Sequence, residues 1–316
     1  MVKEKTLKPI IEYRIDFLEY LEIEKGLSNK TQETYSRFLN KFFQWLKDNK
    51  LEKLEPHQLT SEHIWDYRVF LSRKVNSKTK EPLKKTTQNR HLIVLRNLLN
   101  FFANRDISAL PSEKIKLAKE SKDKRVKFLT PEQVEKLLSA PNVKTLTGLR
   151  DRAILESLFS SGMRVSELTS IDREQLKITP LTKDLEISIL GKGNHTRTVY
   201  FSEEPLEWLK KYLATRNDKE KALFIRYKGP TNSPLRLTIR SIEDIVKKYA
   251  IQSGIPLFTV PHTLRHSFAT DLLTKGVDIR VVQEFLGHKS IATTQIYTHV
   301  TSKRLRDIHR KFHGRK

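Results

Sequence analysis

The sequence predicts a mainly α-helical protein of two domains, the second carrying one small antiparallel β-sheet. Three observations lead there. Apolar residues recur at helical spacing in four separate stretches of residues 1–105. A cleanly capped helix start at Thr130 follows a basic stretch with little apolar periodicity. Further on, Leu185-Glu186-Ile187-Ser188-Ile189 alternates in strand fashion, and a Gly-Lys-Gly-Asn turn joins it to a second extended run at 196–201. The length of 316 residues suits two domains, and 37% hydrophobic residues suffice for packed cores.

The first helix has Pro9 in its first turn and Ile11, Ile15 and Leu18 as one stripe. Gly26-Leu27-Ser28 ends it, and Ser28 is placed to cap the second, in which Tyr35, Leu39, Phe42 and Leu46 recur. A third begins at Thr60 with Ile64, Tyr67 and Leu71 inward. A fourth spans 86–104 with Leu92, Leu95, Leu99 and Phe102 inward. The aromatic residues of these helices sit on the buried period, which marks them as core rather than base-stacking platforms. The expected division is a helical domain over 1–110, a basic linker over 111–128 and a second domain over 129–316. That domain opens with Thr130-Pro131-Glu132-Gln133, an N-cap, a first-turn proline and a capping-box glutamine. A helix over 148–168 follows, then the β-hairpin, helices near 205–215 and 240–252, and three short helices punctuated by Gly276 and Gly287.

Charge narrows the partner. The net charge is +23, shared as +11 over residues 1–128 and +12 over 129–316, so neither half is a basic tail on a neutral body. Two basic domains suit a polyanion gripped from two sides, against the plainer reading of a solvated lysine-rich surface. The densest cations are Arg73, Lys74, Lys78, Lys80, Lys84, Lys85 and Arg90 in one stretch. A second stretch, 114–127, holds seven, Lys124 and Arg125 among them. We take Arg73, Lys74, Lys84, Lys85, Arg90, Lys124 and Arg125 as DNA-binding candidates. The chain has no cysteine, which excludes disulfides, thiolate–zinc sites and a thiol nucleophile and suits a reducing compartment. No signal-peptide core and no apolar run of ~20 residues is present. The expectation is a soluble cytoplasmic protein associated with the nucleoid.

Six residues carry the chemistry: Arg164, Lys192, His262, Arg265, His288 and Tyr297. Singly each has an ordinary explanation. Arg164 could pair with Glu167, Lys192 could be a turn lysine, and Tyr297 could be a packing residue. His262, His266 and His288 could suggest zinc, but no carboxylate-bearing ligand motif accompanies them. Gly191-Lys192-Gly193 is not a phosphate-binding loop, because the required spacing is missing. Together, cations and hydrogen-bond donors around one hydroxyl are what a phosphodiester transition state needs when no metal neutralises it.

In this order and spacing, Arg164…Lys192…His262-x-x-Arg265…His288…Tyr297 resembles the tyrosine recombinase (phage integrase) family, and within it the Xer recombinases. Gly148–Leu168, Pro261–Leu273 and Leu286–Val300 are similar to that family's motif blocks. Gly26-Leu27-Ser28-x-x-Thr31-x-x-x-Tyr35-x-x-x-Leu39-x-x-Phe42 is similar to its core-binding domain. Ser161 and Met163 depart from the threonine and leucine more usual there, and His195 sits two residues before Arg197. The resemblance implies a four-helix SAM-like core-binding domain and a mixed α/β catalytic domain closing as a C-shaped clamp on DNA. It implies Tyr297 as nucleophile, forming a 3′-phosphotyrosine, with Arg164 and Arg265 forked onto the phosphate oxygens. His262 and His288 would donate hydrogen bonds, His262 assisting proton removal from Tyr297. Lys192 would protonate the leaving 5′-oxygen, and Glu167 would orient the arginines. It implies no metal, ATP or other cofactor. The partners would be duplex DNA with inverted half-sites, three further protomers exchanging strands through a Holliday junction, and a DNA translocase. The tail after Tyr297 would dock into a neighbouring protomer. A type IB topoisomerase and a non-catalytic DNA-binding factor remain as rival readings. So does the choice between chromosome-dimer resolution and the mobility of a phage or transposon.

Overall fold

The computed structural model describes residues 8–75, 80–119, 126–191, 196–230, 232–288 and 290–297. It divides into two compact units, Met1–Asp123 and Lys124–Lys316.

In the first unit a 3₁₀ turn at Ile10–Tyr13 leads into α1 (Arg14–Ile23), followed by α2 (Asn29–Asp48), α3 (Ser61–Arg73) and α4 (Lys85–Asn104). Leu39, Phe42, Leu46, Ile64, Tyr67, Leu71, Leu92, Leu95, Leu99 and Phe102 are buried together, as their spacing predicts. Tyr35 is half-buried and its hydroxyl accepts from Asn97 Nδ2 at 3.0 Å. Thr60 caps α3 through the backbone N–H of His63.

The stripe predicted for α1 faces inward only in part: Ile11 and Leu18 are half-buried against the core, and Ile15 is not. Ile15 is 66% exposed, and the buried side consists of Ile10, Tyr13, Phe17, Tyr20 and Leu21. Apolar residues surround this segment on several sides, and the larger rings take the inside. Phe17 and Tyr20 pack against Phe101 with ring centroids 5.8 and 5.3 Å apart. Ser28 stands at the N-cap of α2, but its hydroxyl meets Thr31 Oγ1 at 3.0 Å instead of a backbone N–H. The start of the stretch read as extended linker folds onto this unit. Ile115 is buried in its core, and the Asn89 amide pairs with both the N–H and the C=O of Ala118, at 3.0 and 2.9 Å.

The second unit starts at α5 (Pro131–Ser139), where Thr130 and Gln133 form the expected capping box. Then come α6 (Leu146–Ser161), α7 (Val165–Ser170), β1 (Leu185–Leu190), β2 (Thr196–Phe201), α8 (Glu203–Leu213) and α9 (Ile239–Gln252). α10 (Pro261–Lys275), α11 (Ile279–Leu286) and α12 (Ala292–Gln295) close the described chain. β1 and β2 are antiparallel, from Leu185 opposite Phe201 to Leu190 opposite Thr196. Ile187, Ile189, Val199 and Phe201 join Leu155, Leu158, Leu206, Leu209, Val246 and Leu264 in one core. The turn residues 192–195 lie outside the described residues.

The helix predicted over 148–168 is in fact two. Gly162 takes φ +59°, which ends α6 in a left-handed cap, and the chain restarts as α7 at Val165. A Cβ at Gly162 would stand 2.4 Å from the Phe268 ring, so sterics as well as dihedral angle require glycine. α10, expected to be short, runs for 15 residues. Among the described residues no helix is long and apolar enough to cross a membrane.

Candidate active site

The break after α6 builds the site. Arg164 occupies the position just before α7, and both its backbone N–H and its Nη1 donate to Glu167 at 2.7 Å. The Glu167 carboxylate, 2% exposed, also accepts from Arg197 Nη2 at 2.8 Å. Arg197 comes from β2, and its Nη1 donates to the Phe285 carbonyl at 2.5 Å, tying the hairpin to α11. Burial alone would raise the Glu167 pKa. Its hydrogen bonds and ion pairs with Arg197 and Arg164 outweigh that and hold it below the ordinary value.

Arg265 is 1% exposed on α10. Its Nη1 donates to the Gly162 carbonyl at 2.7 Å and its Nη2 to the Leu286 carbonyl at 2.5 Å. These carbonyls end α6 and α11, where helix dipoles place partial negative charge. Two guanidinium N–H groups are thereby fixed and the rest stay available for a ligand. Burial first, then the charges of Arg164 and Arg197, push its pKa down to about 9, so it remains a cation at neutral pH.

Three histidines face these arginines. His262 lies in the first turn of α10 and His266 one turn on, with rings 4.2 Å apart and edge to face. His288 follows the left-handed Gly287, and its Nδ1 pairs with the buried Thr294 hydroxyl at 2.9 Å. Burial, then Arg265 and Arg164, push the His288 pKa down to about 4. Burial, then the same two arginines, also lower that of His262. Tyr297 is 1% exposed, packed with Ala269, Leu273, Val282 and Leu286. Its hydroxyl lies 2.6 Å from His266 Nδ1. Burial pushes its pKa up to about 12, with Arg265 and Arg164 pulling the other way.

The fold thus brings Arg164, Glu167, His262, Arg265, His288 and Tyr297 to one place, while Lys192 lies outside the described residues. Two participants were not anticipated. Arg197 grips Glu167, and His266, weighed only as a zinc ligand, holds the tyrosine hydroxyl. The one sequence signal for His266 is its place four residues after His262, on the same helix face. Among the described residues no group of three or more His, Asp or Glu is arranged to hold a metal ion.

On the first unit, Arg73 and Lys74 end α3 while Lys84 and Lys85 begin α4. The Leu83 N–H bonds the Lys74 carbonyl at 3.0 Å, so the two basic ends are held side by side; Arg90 is exposed on α4. Burial and the nearby Lys41 push the Lys74 pKa down to about 8, which adds Lys41 to this cationic corner. Lys124 and Arg125 lie outside the described residues.

Comparison with known proteins gives this site its context. Residues 15–106 match the phage integrase N-terminal SAM-like domain and residues 127–304 match the phage integrase family. A tyrosine recombinase XerC of Thermodesulfovibrio yellowstonii is 37% identical over 310 residues, covering 95% of this chain and 96% of that one. A tyrosine recombinase XerD of Oceanobacillus iheyensis is 34% identical over 317 residues, covering 97% and 100%. The crystal structure of XerH site-specific recombinase bound to palindromic difH substrate has the same fold, with a TM-score of 0.69 and 22% identity over 98% of each chain. The chain belongs to the phage integrase family, with a SAM-like helical domain followed by an integrase catalytic domain. Within that family it is a Xer-like site-specific tyrosine recombinase, an enzyme that cleaves and rejoins DNA.

Proposed function

We propose that Tyr297 attacks the scissile phosphate of a recombination site, leaving a 3′-phosphotyrosine and a free 5′-hydroxyl. The observation that carries this is the buried Tyr297 hydroxyl, 2.6 Å from His266 Nδ1 and within the electrostatic reach of Arg265 and Arg164. Guanidinium forks at fixed positions stabilise a phosphorane-like oxyanion in a way lysine does not reproduce. Glu167 and the two carbonyls that accept from Arg265 hold those forks in place. His262 and His288 donate to the non-bridging oxygens, and Lys192 protonates the departing 5′-oxygen. The ester conserves the energy of the broken bond, so religation needs no nucleotide. The basic ends of α3 and α4 grip the duplex backbone.

In this reading four protomers bind two duplexes at inverted half-sites and exchange strands in pairs through a Holliday junction. The tail from 301 onward docks into a neighbouring catalytic domain. A groove of about 650 Å³ supports that docking. Phe128, Val134, Leu138 and Phe159 give it apolar walls and Glu135 and Glu204 add carboxylates, while Asp271 is paired with Lys275 of the same lining. The tail offers Leu305, Ile308 and Phe312 among Lys303, Arg304, Arg306, Arg310 and Lys311.

The test is to incubate the protein with genomic fragments, trap covalent adducts and sequence the attached DNA. One defined sequence should be recovered, and Tyr297→Phe should abolish adducts while binding persists. Adducts that survive in Tyr297→Phe would mean a different nucleophile.

A further inference from the structure

We infer that His266 is the base that takes the hydroxyl proton of Tyr297 as the tyrosine attacks DNA. This assignment rests on Tyr297 being the nucleophile. The hydroxyl stands 2.6 Å from His266 Nδ1, within the reach a general base requires. Among the described residues no other group is hydrogen-bonded to that hydroxyl. His262, from which the motif led us to expect this task, instead packs against the far residue of the pair, its ring 4.2 Å from that of His266. The Tyr297 ring lies 5.3 Å from the His266 ring, so the two are held against each other beyond the single hydrogen bond.

The proton arrangement follows from the donors available. For the phenol O–H to donate, Nδ1 must present its lone pair, so the neutral ring carries its hydrogen on Nε2. Burial, together with His262, Arg265 and His288, keeps His266 unprotonated at neutral pH, with a pKa pushed down to about 4. With Tyr297 pushed up to about 12, the proton stays on oxygen in the free protein and the nucleophile is quiescent. A phosphodiester monoanion seated between Arg164 and Arg265 changes both conditions. It offsets the cations that depress His266, and bonding to phosphorus acidifies the phenol. The Tyr297 O–H bond then breaks as the O–P bond forms, and the proton passes to Nδ1 to give an imidazolium. The P–O5′ bond breaks, and the 5′-oxygen receives its proton from a separate donor, Lys192 in the reading above. On religation Nδ1 returns the proton to the tyrosine oxygen.

The decisive experiment uses the full chain and a synthetic duplex carrying the sequence recovered from the Tyr297 adducts. The scissile linkage is either an ordinary phosphodiester or a 5′-bridging phosphorothiolate, whose sulfur leaves without a proton. Asparagine keeps an acceptor near Nδ1 but is no base, so His266→Asn separates proton transfer from simple positioning. It should cut single-turnover cleavage at pH 7 by ~100- to 1000-fold, and the phosphorothiolate should not restore it. Its rate should climb with pH as hydroxide takes over, more steeply than the wild-type rate does. The groups facing His266 are His262, His288, Tyr297 and Arg265, which is cationic at neutral pH. Cleavage by His266→Asn within about tenfold of wild type, or restored by the phosphorothiolate, overturns the assignment. If His266→Asn melts early, His266→Gly with added imidazole decides: recovery supports the base and no recovery overturns it. Tyr297→Phe run alongside separates the two ideas, since adducts in that variant would defeat the nucleophile and not merely its base.

Discussion

Replacing Glu167 with glutamine should remove about 3 kcal/mol of the catalytic unit's stability at neutral pH. The carboxylate is 2% exposed and accepts three hydrogen bonds, two from Arg164 at 2.7 Å and one from Arg197 at 2.8 Å. Glutamine keeps the shape and one acceptor, but loses the charge and turns an NH₂ toward a cation. A hydrogen bond to a charged group contributes ~1.5–3 kcal/mol. The Arg197 contact, with that side chain 10% exposed, counts near the middle of this range. The Arg164 side chain is 27% exposed and partly screened, so its share is nearer 1 kcal/mol. The assay is urea unfolding followed by Trp208, which lies in the catalytic unit, with Trp45 and Trp65 replaced by phenylalanine. The pH dependence adds a second check. The Glu167 pKa is lowered in the folded state, so its stabilisation is present above the unfolded-state value of about 4.3. It disappears as pH falls through the lower folded-state value, and the wild type and Glu167→Gln should converge there. A difference below about 1 kcal/mol at pH 7, or a gap that does not narrow as pH falls below the unfolded-state value, would refute the argument.

Other expectations follow from the same geometry. Arg265→Ala should slow adduct formation more than ~100-fold, since a positioned donor in a dry site is worth ~3–4 kcal/mol; a loss under tenfold would remove Arg265 from the phosphate grip. Gly162→Ala should cost ~1–2 kcal/mol for its left-handed backbone, plus whatever displaces the Phe268 ring. Its melting temperature should drop and its cleavage rate with it, and an unchanged melt would show that the α6–α7 junction tolerates a side chain. Cleavage should proceed in excess EDTA, and a strict need for Mg²⁺ would defeat a mechanism built on side-chain cations.

Spacing made much of this molecule legible before its coordinates. α2, α3 and α4 each have one apolar side and one core to face, so Leu39, Phe42, Ile64, Tyr67, Leu92 and Phe102 fall where the helical period puts them. α1 is apolar on several sides, and only the rings it meets decide that Phe17 points in and Ile15 out. The α6–α7 break was hidden because apolar residues continue across Gly162, and the partners that need it, Phe268 and Arg265, lie about a hundred residues away. The charged members of the site were readable as a motif. His266 was not readable as a partner of Tyr297, because 31 residues separate them and only the packing of Tyr297 against α10 unites them. Arg197 was obscured for a similar reason: a strand residue beside a turn gives no hint that it reaches Glu167.

The described strands of the β-hairpin are pinned at their open turn end. Leu190 and Thr196 face each other in register, and Arg197 anchors the returning strand to both Glu167 and the end of α11. Arg197 thus rivets β2 to both α7 and α11, so its loss should loosen all three elements together and release Arg164's support along with them.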